Sequence, residues 1–146
     1  MTLHLDFDEQ IMRRYYDRGA PLLFYIHWIH GHIAYPSKDW MDFGVVIVDW
    51  WLAAAKRLLE GATEEELPFM DGPYRMFLRR EANMLRVLTK DAPGDWTVPT
   101  EEFIDELMGA AATIGVELAR LGISQDDQKG LQKGTADLKE ASRRPL

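Results

Sequence analysis

The chain has no cysteine. Disulfide staples, thiol nucleophiles and Cys-based zinc sites are therefore excluded. It has little at its start that resembles a leader: Met1-Thr2-Leu3-His4-Leu5-Asp6-Phe7-Asp8 carries neither a basic opening nor an apolar core of signal-peptide length. Long hydrophobic runs are missing too. The run Gly44–Val48 stops at Asp49, far short of the roughly 20 apolar residues that span a bilayer. Positive charge is in the minority, with 17 Lys and Arg against 24 Asp and Glu, a formal net charge of −7. An acidic chain repels phosphate backbones, which speaks against nucleic acid as a partner. Arg79-Arg80 and Arg143-Arg144 are isolated pairs, too small for a nucleic-acid patch. Neither a Gly-x-Ser-x-Gly elbow, nor a Gly-x-x-x-x-Gly-Lys loop, nor a Gly-x-Gly-x-x-Gly fingerprint is present. The expectation from these absences is a cytoplasmic protein with no membrane segment and no cofactor.

What is present is an ordinary globular composition. The 146 residues are 47% hydrophobic and 28% charged, enough for one domain with its own core. Leu3, Leu5 and Phe7 alternate with His4 and Asp6, the period of a strand. Asp8 then caps a short helix on which Ile11/Tyr15 and Met12/Tyr16 are spaced four apart. Leu22 to Tyr35, rich in aromatic and β-branched residues, reads as one or two strands with Gly31 at a bulge or turn. Trp40, Phe43, Ile47, Trp50, Ala54 and Leu58 step by three or four, which predicts a helix from Trp40 to Leu59 capped by Ser37 or Asp39. Val45, Val46, Val48, Trp51 and Leu52 widen its apolar stripe, leaving Asp42, Asp49 and Lys56 as a narrow polar line. A helix this apolar is either sandwiched between layers or covered by another chain, so its breadth leaves room for a homo-oligomer.

Glu64-Glu65-Glu66 reads as an acidic loop, followed by a strand beginning at Leu67 and a turn at Asp71-Gly72-Pro73. Tyr74, Met76 and Leu78 line one side of the next strand, Ala82-Asn83 turns the chain, and Leu85, Val87 and Thr89 mark the strand that returns. The punctuation of Pro93, Gly94 and Pro99 predicts a loop over residues 91–99. Thr100 is expected to cap a helix over Glu101–Leu121 that Gly122 closes, and Ser124 to open a capping box. The expected fold class is α+β: a small antiparallel sheet packed by two long helices. Residues 1–122 would form a single domain and residues 123–146 a weakly held C-terminal helix or tail.

Few residues have the look of chemistry. His27, His30 and His32 are the only cluster with metal-ligand character. On a strand His30 and His32 share a face, and a third ligand such as Asp39 or Asp42 would have to come from elsewhere. The spacing is generic, and ordinary half-exposed strand histidines are the reading it favours. Asp39, Asp42 and Asp49 lie near Trp40 and Trp50, where burial could make acids of them, yet a cap and a solvated helix edge account for all three. Trp28, Trp40, Trp50, Trp51, Tyr25 and Tyr35 crowd residues 25–51. Such residues usually build a large core, although some could anchor an interface or line a small-molecule pocket around Trp40 and Trp50.

One resemblance follows from the order of these elements. A glycine-bearing strand segment (Gly31) precedes Trp40-Met-Asp-Phe43 and Asp49-Trp50-Trp51. Phe69-Met-Asp-Gly-Pro-Tyr74, a charged strand and a closing helix then follow. Over roughly residues 1–122 the chain resembles small immunity proteins of bacterial polymorphic-toxin and contact-dependent growth-inhibition systems. The resemblance implies a non-enzymatic cytoplasmic protein that binds and neutralises one cognate protein toxin domain, often a basic nuclease, by occluding its active site. It carries over no binding residues. On charge and predicted exposure alone, Glu64, Glu65, Glu66 and Asp71 are the candidate partner-binding residues. The alternative, from a different class, is a small metal-binding domain or metal-dependent enzyme using His30 and His32.

Overall fold

A computed structural model describes residues 1–91 and 94–144. The fold is α+β, with two antiparallel sheets and four helices among the described residues. The first sheet is centred on β2 (Phe24–His30). One side of β2 pairs with β1 (Thr2–Asp6). Its other side is shared by two short strands, β3 (Ile33–Tyr35) along Trp28–His30 and β4 (Met41–Asp42) along Phe24–Tyr25. Gly31, with φ +60°, makes the β2–β3 turn that the sequence marks. The second sheet is a meander in the order β5 (Glu64–Pro68), β6 (Arg75–Glu81), β7 (Met84–Thr89) and β8 (Asp95–Pro99). The strands expected as one sheet are thus divided between two.

The helices fill the space behind the sheets. α1 (Glu9–Asp17) starts as expected, with the Asp8 carboxylate accepting the Ile11 N–H at 3.1 Å. α2 (Gly44–Leu59) packs on β5 and β2, and α3 (Thr100–Leu121) lies by β1 and β8. Gly122 ends α3 in the left-handed conformation that glycine favours. α4 (Gln125–Ser142) lies across α2 and α3, with Leu131 and Leu138 in the common core. Its contact with α2 is close because Gly134 has no side chain: a Cβ there would stand 3.1 Å from Leu52.

Six local expectations are corrected. The helix predicted from Trp40 begins only at Gly44, so Trp40 and Phe43 precede it. Neither Ser37 nor Asp39 caps it, since Phe43 holds that position without a side-chain bond. Residues 91–99 are not all loop: Asp95–Pro99 is β8, with Trp96 and Val98 turned inward in the period-two pattern of a strand. Ala92 and Pro93 lie outside the described residues. Thr100 is the first residue of α3 rather than its cap, and Ser124 bonds the Asp127 carboxylate instead of a backbone N–H. The last correction concerns α2 itself, where Trp51 is buried and Trp50 is 42% exposed. Ile47, Ala54 and Leu58 of the predicted stripe are buried, together with Val45, Val48, Trp51, Leu52 and Ala55, so Trp50 is the stripe residue of α2 that turns outward.

The two sheets are joined by aromatic rings. Phe103 of α3 stacks on Trp28, Trp28 meets Trp51, Trp51 meets Phe69, and Phe69 touches both Tyr35 and Trp40. Tyr74 closes the chain against Tyr35 and Trp40. Centroid separations of 5.0–6.5 Å are those of favourable offset and edge contacts. The Tyr35 hydroxyl then reaches the second sheet. It stands 3.0 Å from the Arg75 carbonyl and 2.9 Å from that of Lys90, and accepts the Arg75 N–H at 3.0 Å. Burial pushes this phenol above its ordinary pKa, against the pull of the Arg75 backbone hydrogen bond.

Candidate functional site

The three glutamates of the sequence-derived site lie on β5, an edge strand, and not in a loop. Strand alternation separates them. Glu64 and Glu66 stand across from Arg79 and Phe77 of β6, and Phe77 stands across from Leu88 of β7. These residues line a shallow hollow of about 440 Å³ on the outer face of the second sheet. Phe77 is 41% exposed at its middle. Glu65 is opposite the buried Leu78, so it faces the other way.

Each of these carboxylates has an arginine. Glu64 pairs with Arg79 at 2.9 Å and Glu66 with Arg75 at 2.7 Å, with every side chain of the two pairs at least 42% exposed. Glu65 holds Arg57 of α2 in a two-pronged bond, at 2.6 and 3.1 Å, with its own side chain only 16% exposed. That bond with Glu65 raises the Arg57 pKa above its ordinary value. The consequences differ. An exposed ion pair is worth about 0–1 kcal/mol, so Glu64 and Glu66 can exchange their arginines for a partner's cation at little cost. Glu65 instead clamps β5 to α2.

Asp71 sits exposed in the loop between β5 and β6. Its backbone leads to a group that sequence reasoning placed on a solvated helix edge. Asp42 is fully buried. Its carboxylate accepts the Trp40 indole N–H at 2.9 Å, the Phe43 N–H at 2.7 Å, and the N–H groups of Met70 and Asp71 at 3.2 Å. A buried carboxylate survives only when donors replace its water, and here four donors from two segments do so. Asp42 therefore fixes the Phe69–Tyr74 loop against the first sheet. Trp40 is pinned to it while Trp50 faces solvent, so these two indoles stand in different environments.

The histidines separate as well. His30 stacks on Trp96 of the second sheet at 5.0 Å, with 5° between the rings. His32 is in the β2–β3 turn and lines a different hollow, on the outer face of the first sheet. Among the described residues, no group of three or more His, Asp or Glu could hold a metal ion. His27 pairs across the ladder with His4, their rings 4.8 Å apart. It is only 3% exposed, and its Nδ1 has no hydrogen-bond partner. Burial holds the His27 pKa below the ordinary imidazole value, and His4 pushes the same way against the attraction of Asp39.

No family model matches the chain, and neither does any curated protein or solved structure. The site must therefore be read from its own geometry. Sequence reasoning named Glu64, Glu65, Glu66 and Asp71 but missed the apolar centre of Phe77 and Leu88 beside Glu64 and Glu66. Phe77 carried a visible signal, as the one aromatic on the outer side of an alternating strand. The three pairing arginines carried none, because which carboxylate each meets depends on strand register. Among the described residues, no helix is long and apolar enough to cross a membrane.

Proposed function

We propose that the chain is a non-enzymatic cytoplasmic protein that binds one cognate toxin domain and blocks its active site. The observation that carries this reading is the outer face of the second sheet, where Phe77 and Leu88 form an uncovered apolar centre with Glu64 and Glu66 beside them. An aromatic anchor inside a charged rim is the usual anatomy of a protein-binding hot spot. The partner suited to it is cationic. The net charge of −7 draws such a partner in, and the exchangeable Glu64 and Glu66 carboxylates receive its lysines or arginines. Asp71, exposed at the neighbouring loop, extends the acidic rim.

The test is to determine what is encoded immediately beside this gene and to ask whether that product co-purifies, followed by titration of the separated proteins. An equimolar complex is expected. Phe77→Ala should weaken it by about 30-fold or more, the loss of about 2 kcal/mol that defines a hot spot. Glu64→Ala with Glu66→Ala should slow association and flatten its salt dependence. Failure to form any complex overturns the function. A complex indifferent to all three substitutions overturns the surface.

A further inference from the structure

The outward side of α2 is built like a helix-packing seam. Phe43, just before the helix, is followed by Val46, Trp50, Ala53 and Arg57 in steps of three and four. That spacing sets them in one line, as in two helices packed along each other. None belongs to the core: Phe43 and Val46 are half-buried, and Trp50, Ala53 and Arg57 are exposed. From Phe43 to Ala53 the line carries no charge. Asp49, one residue off it, faces α4, where a Cβ on Gly130 would stand 3.9 Å from its Oδ2. Met70, 46% exposed, widens the apolar surface at the Phe43 end, since its N–H and that of Phe43 share the Asp42 carboxylate.

The two ends of this line carry opposite charges. Asp71 stands at the Phe43 end, because its N–H is held by the same Asp42 carboxylate. Its own side chain is exposed and has no ion-pair partner among the described residues. Arg57 stands at the other end. Glu65 takes its Nε and Nη2, so Nη1 is left to reach outward. Size alternates as well, with the large Phe43 and Trp50 set among the small Val46 and Ala53. A second copy laid antiparallel satisfies all of this at once. Ala53 of each copy meets Phe43 of the other, Val46 meets Trp50, and Arg57 reaches past Phe43 to Asp71. Antiparallel helices also set opposite dipole ends together. A parallel copy would bring Arg57 to Arg57 and Asp71 to Asp71.

We infer that the outward face of α2 is a self-docking surface, on which two copies of this chain pair antiparallel about a two-fold axis. A patch that is its own complement is what two-fold symmetry requires. Trp50 anchors the contact, as an exposed indole on a rigid helix. One helix pair with a flanking loop is a small interface, so the dimer forms in proportion to concentration. The contact needs no other protein, so it stands or falls apart from the toxin-binding reading.

The test is sedimentation velocity of the purified full chain over a concentration series up to about 1 mM, which reaches weak complexes. A reversible shift from 16.8 kDa to twice that mass is expected. Trp50→Glu should weaken the dimer by about 30-fold or more, as for an aromatic hot spot. Val116→Glu, which puts the same charge on an exposed apolar position of α3, should leave it unchanged. Asp71→Lys alters the loop without touching α2, and should weaken the dimer by about fivefold or more, since it turns two attractions into repulsions. Asp71→Glu should retain the parent affinity. A chain that stays monomeric throughout overturns the inference. So does a dimer indifferent to Trp50→Glu or Asp71→Lys, or one that Val116→Glu weakens as much.

Discussion

Replacing Asp42 tests the central structural claim, that one buried carboxylate organises two distant segments. In Asp42→Ala, four N–H donors lose their acceptor: the Trp40 indole and the backbone amides of Phe43, Met70 and Asp71. A buried donor left dry costs about 1–3 kcal/mol. Water entering the vacated space rescues part of that, so the lower figure applies to each, and the sum is about 4 kcal/mol. For a chain of this size 1 kcal/mol moves Tm by about 2–4 °C, so Tm should fall by about 8–16 °C. In urea, with m near 2 kcal/mol/M, the midpoint should drop by about 2 M. Asp42→Asn keeps the volume but turns an NH₂ group towards donors, and should lose about half as much. Asp71→Ala, which alters an exposed side chain and leaves its amide in place, should stay within about 0.5 kcal/mol. Amide exchange adds a local readout, since Met70 and Asp71 should lose protection before the strands do. A midpoint for Asp42→Ala within about 0.5 M of the parent, at unchanged m, would refute the reasoning.

Three other perturbations probe the rest of the fold. Burial raises the Asp49 pKa, and the nearby Asp127 raises it further; the folded state therefore binds this proton more tightly than the unfolded chain. The stabilisation is complete below the unfolded value and is lost as pH rises through the folded one. Asp49→Asn should remove that loss and be the more stable protein at neutral pH, as urea midpoints across a pH series would show; parallel pH profiles would count against it. Leu138→Ala, at a fully buried position of α4, should cost about 2–5 kcal/mol in thermal or urea unfolding. A loss below about 1 kcal/mol would mean that the C-terminal helix is only loosely attached. Gly44→Ala sets two effects against each other, because alanine is the better helix former by about 1 kcal/mol but its Cβ would overlap the buried Phe24 ring. Packing should win, with a net loss of at least about 2 kcal/mol, and a stabilised variant would disprove the close approach.

Local features of this fold were legible in the sequence. The Asp8 cap, the Gly31 turn, the Ala82-Asn83 hairpin and the Gly122 stop each depend on residues within one turn of each other. Misreadings arose where the deciding contact is remote. The spacing of Trp40 and Phe43 continues the α2 stripe, so periodicity alone extends the helix. Only pairing with Phe24 and Tyr25 makes Met41–Asp42 a strand. The role of Asp42 was hidden for the same reason, since two of its donors lie 28 and 29 residues away. In β8, Trp96 and Val98 alternate legibly, but the prolines and glycine around them pointed to a loop. Of the candidate site, the carboxylates were visible by their charge. Their arginines and the Phe77 centre became evident only with the register of β5, β6 and β7.

The placement of Glu64, Glu65 and Glu66 has a further consequence, for self-association. An outermost strand offers unpaired backbone groups on which another chain can extend the sheet. Were a second copy to add its own β5 here, two triplets of carboxylates would be brought side by side, and like charges in register oppose pairing. Pro68 also withholds an N–H at the end of the strand. Charge on this strand would thus act as a guard against the protein's own kind, and removing all three carboxylates at once would open this border to sheet-to-sheet growth.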